Sequence, residues 1–313
     1  MSSSTQQQQQ HKPPVILVVG GSGKVGSELV SSLLDRNARV RILVRNIENA
    51  KSKFGDKVEY AAGDVSQDLD RLDPSAFQQI ERLFILVPNN PQQVSQELNV
   101  LKKVLQQSST TLRQVVKLSV LNADASRPLG DLQRLHGQIE NRIEDYLNEK
   151  APHVHFTVLR PNNFMQNLLA EASGIQKQGV LYRPKAEPFE YRVSFIDTRD
   201  IGEAAATVLT QDPQKHSGRA YELTGPEALS WEEMVQKVSQ VSNHKVEVVY
   251  VDDAEFYNAL TFLPEFYRFY FVKLMQTYRV ERRSGIIAGD YKLITGKEAR
   301  RYDDFLKENA SSF

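Results

Sequence analysis

The feature that most constrains this chain is a short junction near its amino end. Val15-Ile16-Leu17-Val18-Val19 is an unbroken aliphatic run, mostly β-branched and without polar alternation. Such a run is the pattern of a strand buried on both faces. Gly20-Gly21-Ser22-Gly23-Lys24-Val25-Gly26 follows at once. Ser27 to Asp35 then reads as a helix with Leu29, Val30, Leu33 and Leu34 on one face, and Arg39 to Arg45 reads as the next strand. Strand, glycine turn, helix, strand is one βαβ unit, which forces parallel pairing and a helix across the sheet.

The alternation continues. Strands are expected at Val58–Ala62, Arg82–Val87, Gln114–Val120 and His155–Arg160, with helices from about Gln92 to Gln107 and from Leu132 to Glu149. After Pro161 the pattern loosens. Val193 to Leu209 reads as a strand and then a helix opening near Asp200. Ser230-Trp231-Glu232-Glu233 starts a helix running to Val241, and Val246–Val251 is a strand. Phe256 to Tyr278 is rich in aromatics and broken by Pro264. The expected fold class is α/β: a Rossmann-type, doubly wound parallel sheet with a smaller, mainly carboxy-terminal α/β lobe. The expected division is a disordered Ser/Gln-rich tail over 1–13, a nucleotide-binding core over 14–160, and a lobe over 161–313 that returns to the core at about 193–210.

Composition removes several classes of function. Lys plus Arg equals Asp plus Glu, 39 of each, so there is no overall charge to attract nucleic acid. The chain has no cysteine, which excludes disulfides and thiolate chemistry, and no histidine cluster suggests a metal site. No apolar run reaches the roughly 18 residues of a membrane span. The amino terminus, rich in Ser and Gln, lacks the apolar stretch of a secretory signal, so a cytoplasmic location is expected.

A dinucleotide pyrophosphate is bulky and doubly charged, and it needs bare backbone N–H groups at a helix amino terminus. The turn Gly20, Ser22, Gly23, Lys24, Val25, Gly26 offers them. Gly20 permits the tight turn, Gly23 a close approach to phosphate, and Gly26 close packing of the helix. A hydrolase-type phosphate loop is excluded, because Val25 stands where that loop needs Ser or Thr after the lysine. The second strand ends at Arg45 rather than at an acidic residue. A guanidinium pairs with a 2′-phosphate, whereas a carboxylate repels it. The predicted cofactor is therefore NADP(H); the alternative is a solvated surface arginine.

Arg160-Pro161-Asn162-Asn163-Phe164-Met165-Gln166-Asn167, Phe195 to Ile201, Tyr221-Glu222-Leu223-Thr224-Gly225, Thr295-Gly296 and Tyr302 to Leu306, with the glycine turn, resemble the NmrA-like group of atypical short-chain dehydrogenases/reductases. The resemblance covers nearly everything from Pro14 to Phe313. It implies that Val87 and Pro88 lie near the cofactor ribose and Asp64 beside the adenine, and that Pro161, Asn162 and Phe164 border the nicotinamide. Each has a simpler reading: Pro88 ends a strand, Asp64 fixes a turn, and Phe164 is core.

The usual members of the wider group reduce carbonyls with a Tyr-xxx-Lys pair after the fifth strand and a serine at its end. Ser119 matches that serine, but His136 and Glu140 stand in the pair's places. Four residues apart on a helix, the two share a face, and a carboxylate beside an imidazole favours the proton-donating imidazolium. The alternative is an ordinary surface pair. Two functions follow. One is an NADPH-dependent reductase of quinone-like or other small carbonyl acceptors, with the aromatic stretch as a pocket wall, as core or as an oligomer interface. The other is a non-catalytic NADP(H) redox sensor that acts through a regulatory protein partner.

Overall fold

A computed structural model describes residues 13–185, 192–280 and 282–313. The expected tail falls almost wholly outside the described residues. The run of aliphatic residues forms β1 (Val15–Val19), every residue of it buried, and leads into α1 (Lys24–Asp35) and β2 (Arg39–Val44). Then come α2 (Ile47–Phe54), β3 (Glu59–Ala62), β4 (Arg82–Ile85), α3 (Gln93–Ser108), β5 (Gln114–Leu118), α4 (Leu132–Lys150) and β6 (His155–Pro161). All run as the alternation demands. The helix α2 is additional: its short stripe of Ile47, Ala50 and Phe54 packs on the core, and Asn46 starts it by accepting from the Asn49 N–H at 3.0 Å.

The second half contributes α5 (Ala172–Gln178), β7 (Val180–Pro184), α6 (Thr198–Thr210), β8 (Arg219–Leu223), α7 (Trp231–Ser242), β9 (Glu247–Val251), α8 (Asp253–Ala259), α9 (Glu265–Val280), α10 (Asp290–Thr295) and α11 (Tyr302–Glu308). Ser230 and Glu233 close the capping box that their spacing predicts at the start of α7. The expected strand after Val193 is instead an extended segment. It pairs only through single bridges, Val193 with Leu229 and Phe164 with Ile196, because its side chains pack between two parts of the fold rather than along a sheet.

Seven strands form one parallel sheet in the order β3-β2-β1-β4-β5-β6-β8, and β7 and β9 form a separate parallel pair. Strand order reverses between β1 and β4, and the carboxyl ends of those two strands frame the crevice where ligands of such sheets bind. One face buries a cluster from α1, α6 and α10 against Ile16, Val18 and Val116. The other buries Val100, Val104, Ile139 and Ile143 of α3 and α4 against Leu17, Leu83 and Val115. A third cluster, around Phe195, Trp231, Phe256 and Tyr302, is the core of the lobe. Thus β8, α6 and α10 come from the second half of the chain yet complete the main sheet and its cover. Among the described residues no helix is long and apolar enough to cross a membrane.

Candidate functional site

The crevice begins at the glycine turn. Gly20 sits at φ +84°, and the Gly23 N–H closes the turn on the Gly20 carbonyl at 3.0 Å. Gly23 is the N-cap of α1, with an extended backbone and no side-chain cap, so no side chain occupies the N–H groups of the first turn. A Cβ on Gly26 would lie 2.0 Å from the Gly20 carbonyl oxygen, and one on Gly20 would lie 2.4 Å from that of Leu86. The turn is therefore closed to side chains from inside and open outside, where Ser22, Gly23 and Lys24 are exposed; Val25 is buried and offers only its backbone. This is the geometry of a helix-terminus cradle for an anion.

Arg45, just past β2, is exposed and makes no hydrogen bond or ion pair among the described residues. Nearby, the Asp64 carboxylate accepts from the Ser66 N–H at 2.9 Å and the Ser66 hydroxyl at 2.7 Å. Those bonds hold its carboxyl below the usual carboxylate range, with a smaller contribution from the charge of Arg45. Asp64 thus fixes a turn, as its simpler reading has it, and lies within the field of Arg45. Across the crevice Val87 is buried and Pro88 exposed. The strand expected to run to Val87 ends at Ile85, so Val87 lies beyond the ladder.

Ser119, Glu140 and His136 are brought together, but not as their spacing predicts. The Ser119 hydroxyl donates to Glu140 Oε1. Arg160, from β6, grips the same carboxylate through Nε at 3.2 Å and through Nη2. His136 turns away, with Nε2 3.0 Å from Asn89 Oδ1. The expected imidazolium is overturned: burial, and then the charge of Lys117, hold the His136 pKa well below that of a free imidazole. Glu140 does not counter this, because its negative charge is already matched by Arg160. Nor does Ser119 polarise a carbonyl while its proton faces Glu140. Arg160 went unassigned in the sequence because only the sheet brings β6 beside β5.

Pro161 ends β6, and its carbonyl accepts from the Leu121 N–H at 2.9 Å. The Asn162 side chain is fully engaged. It donates to Ser194 Oγ at 2.9 Å and the Ser284 carbonyl at 2.7 Å, and accepts from the Tyr278 hydroxyl at 3.1 Å. It therefore ties the end of β6 to α9 and the lobe. Phe164 is half-buried against the α1–α6 core and bridges to Ile196.

The family model for the NmrA-like family matches residues 12–286. The chain belongs to that family. An NAD(P)H azoreductase from Xenophilus azovorans is 29% identical over 296 residues, covering 94% of this chain and 97% of the relative. Among solved structures, the Citrobacter sp. triphenylmethane reductase complexed with NADP(H) superposes with a TM-score of 0.76 at 20% identity, covering 94% of this chain and 99% of that one. An NADPH-dependent quinone oxidoreductase from Escherichia coli complexed with NADPH superposes at 0.77 with 21% identity, over 95% and 98%. The NmrA-like chain thus shares its fold with them.

The neutral state of His136 has a consequence for this NmrA-like protein that needs no ligand. Below about pH 6.5 the unfolded chain takes up a proton on this imidazole that the folded chain refuses. Stability is therefore full above that value and falls as pH drops toward the lowered folded pKa, by about 1.4 kcal/mol per pH unit for one such group. His216, whose pKa burial also lowers, adds to the slope. Urea unfolding between pH 6.5 and 5 should show the decline, and His136→Gln should flatten it. An unchanged slope would place the imidazolium back in the fold.

Proposed function

We propose that this chain is an NADP(H)-dependent reductase whose acceptor is a flat, quinone-like or other small conjugated molecule. The observation that carries the reading is the state of the three residues at the usual proton-donating position. Ser119 donates its hydroxyl hydrogen bond to Glu140, Glu140 is held by Arg160, and His136 is neutral and bonded to Asn89. None is set to protonate an alkoxide. A plain ketone needs that help, whereas a quinone does not, because its reduced form is a stabilised oxyanion.

The residues present fit the cofactor. A Cβ at Gly20 or Gly26 would collide with the backbone that shapes the cradle, and Arg45 makes no hydrogen bond or ion pair among the described residues. Gly20, Ser22, Gly23, Lys24, Val25 and Gly26 would hold the pyrophosphate, Arg45 the 2′-phosphate, and Asp64 the adenine side. Val87 and Pro88 would flank the ribose, with Pro161, Asn162 and Phe164 beyond them. Bound NADPH supplies hydride. The chain's own task is alignment and exclusion of water. Asn162, pinned between β6, Ser194, Ser284 and Tyr278, fixes the back of the crevice.

Two measurements test the reading. Purified protein with NADPH and a panel of quinones should turn over, followed at the nicotinamide absorbance band, and His136→Ala should leave the rate within a few-fold. A large loss in that variant would restore His136 as a donor. Tight NADPH binding with no turnover across the panel would instead favour the sensor reading. Arg45→Asp should weaken NADPH binding by about 10- to 150-fold, the worth of one hydrogen bond to a charged group, with NADH little changed. Equal loss for both cofactors would remove Arg45 from the site.

A further inference from the structure

Next to the Ser119 site lies a second group of buried polar side chains that the proposed chemistry does not use. Lys117 and Glu97 are completely buried, with Lys117 Nζ 3.0 Å from Glu97 Oε1. Lys117 also donates to the Leu118 carbonyl. Gln93, one turn earlier on α3 and equally buried, donates to Glu97 Oε1 at 2.8 Å and to the Val87 carbonyl at 3.1 Å. The Val87 N–H adds favourable electrostatics at the same carboxylate. Burial pushes the Glu97 carboxyl up, opposed by the charge of Lys117.

A buried ion pair is a poor way to gain stability. Its desolvation roughly cancels its attraction, and apolar replacements of both members are often as stable. Backbone outside a sheet, however, needs polar partners. Leu86 to Asn89 is such backbone: it leaves β4 at the crevice, beside the Gly20 turn, with no ladder bonds of its own. Two of its carbonyls are held by side chains: that of Val87 by Gln93, which leads on to Glu97 and Lys117, and that of Pro88 by Asn90. Extending the proposed function, on which this rests, we propose that Glu97 and Lys117 are positioning residues, which act through Gln93 to set the Val87 backbone against the nicotinamide half of the cofactor. Neither touches the ligand. They fix the path of the main chain that does.

The test is the double variant E97L/K117M, which removes both charges and keeps an apolar interior of similar size. Binding of NADPH and of 2′,5′-ADP, which carries only the adenosine phosphates, is measured by calorimetry, together with thermal unfolding. Positioning of the nicotinamide side predicts a thermal midpoint near that of the wild type, unchanged affinity for 2′,5′-ADP, and NADPH affinity and quinone kcat each lowered by about 10- to 100-fold. Equal loss of both ligands, or loss of neither, overturns the proposal. Should the double variant not fold, Gln93→Met keeps the ion pair, removes the Gln93 bonds to the Val87 carbonyl and to Glu97, and should give the same split at smaller size. A wild-type protein that binds neither ligand would overturn the cofactor reading itself, an outcome distinct from failure of the split.

Discussion

Gly26→Val is expected to abolish NADPH binding at ordinary working concentrations. The valine Cβ would have to occupy a point 2.0 Å from the Gly20 carbonyl oxygen and 2.9 Å from the Gly21 Cα. Both neighbours are backbone, so nothing flexible can yield. Either α1 moves off the turn or the turn opens, and in both cases the first-turn N–H groups no longer converge on one point. Losing two charge-assisted hydrogen bonds, at about 1.5–3 kcal/mol each, lowers affinity by about 100- to 20,000-fold. Gly23→Ala makes the informative comparison. Its Cβ would meet only the Gly20 carbonyl, at 3.3 Å, and would otherwise face the open side. It should leave the thermal midpoint nearly unchanged and still weaken NADPH, because the methyl stands where phosphate must approach. Calorimetric affinity for NADPH that survives in Gly26→Val would show that the cofactor phosphates bind elsewhere.

Lys117→Met alone is expected to be among the most destabilising single changes in the chain. It leaves Glu97 buried, with one oxygen already lacking a hydrogen-bond partner among the described residues. Breaking one side of a buried pair costs about 3–5 kcal/mol, which for a chain of this size lowers the thermal midpoint by on the order of 10 °C. Adding Glu97→Leu should recover most of the loss, since the penalty belongs to the unpaired charge and not to the absence of a bond. Denaturant or calorimetric unfolding of the three proteins measures this directly. A Lys117→Met protein as stable as the wild type would mean that Glu97 is held protonated in the fold.

The elements legible in the sequence were those whose burial is set locally. Val15–Val19 and Gln114–Leu118 announce themselves as short, largely β-branched aliphatic runs, and the two long helices before β6 by apolar residues at helical spacing. The elements that were not legible lack that pattern. Arg219–Leu223 is an edge strand with exposed Arg219 and Ala220, and Val180–Pro184 pairs only with β9, far along the chain. The glycine turn was readable to the level of each Cβ, except that Gly21 also has no room, against Ile42. The proton-donor question was not readable at all. Spacing placed His136 and Glu140 on one face of α4, but what each of them meets comes from β4, β5 and β6.

By itself, then, the sequence determined the parallel α/β sheet, the glycine turn before α1 and the guanidinium at the end of β2. Those depend on neighbours within a few dozen residues and on the periods of helix and strand. Only the tertiary structure decided that Glu140 pairs with Arg160, that His136 is neutral beside Lys117, and that Asn162 joins sheet to lobe. Each of these is set by a charge or hydrogen-bond partner distant in sequence, and in a low-dielectric interior the partner, not the residue, fixes the chemistry.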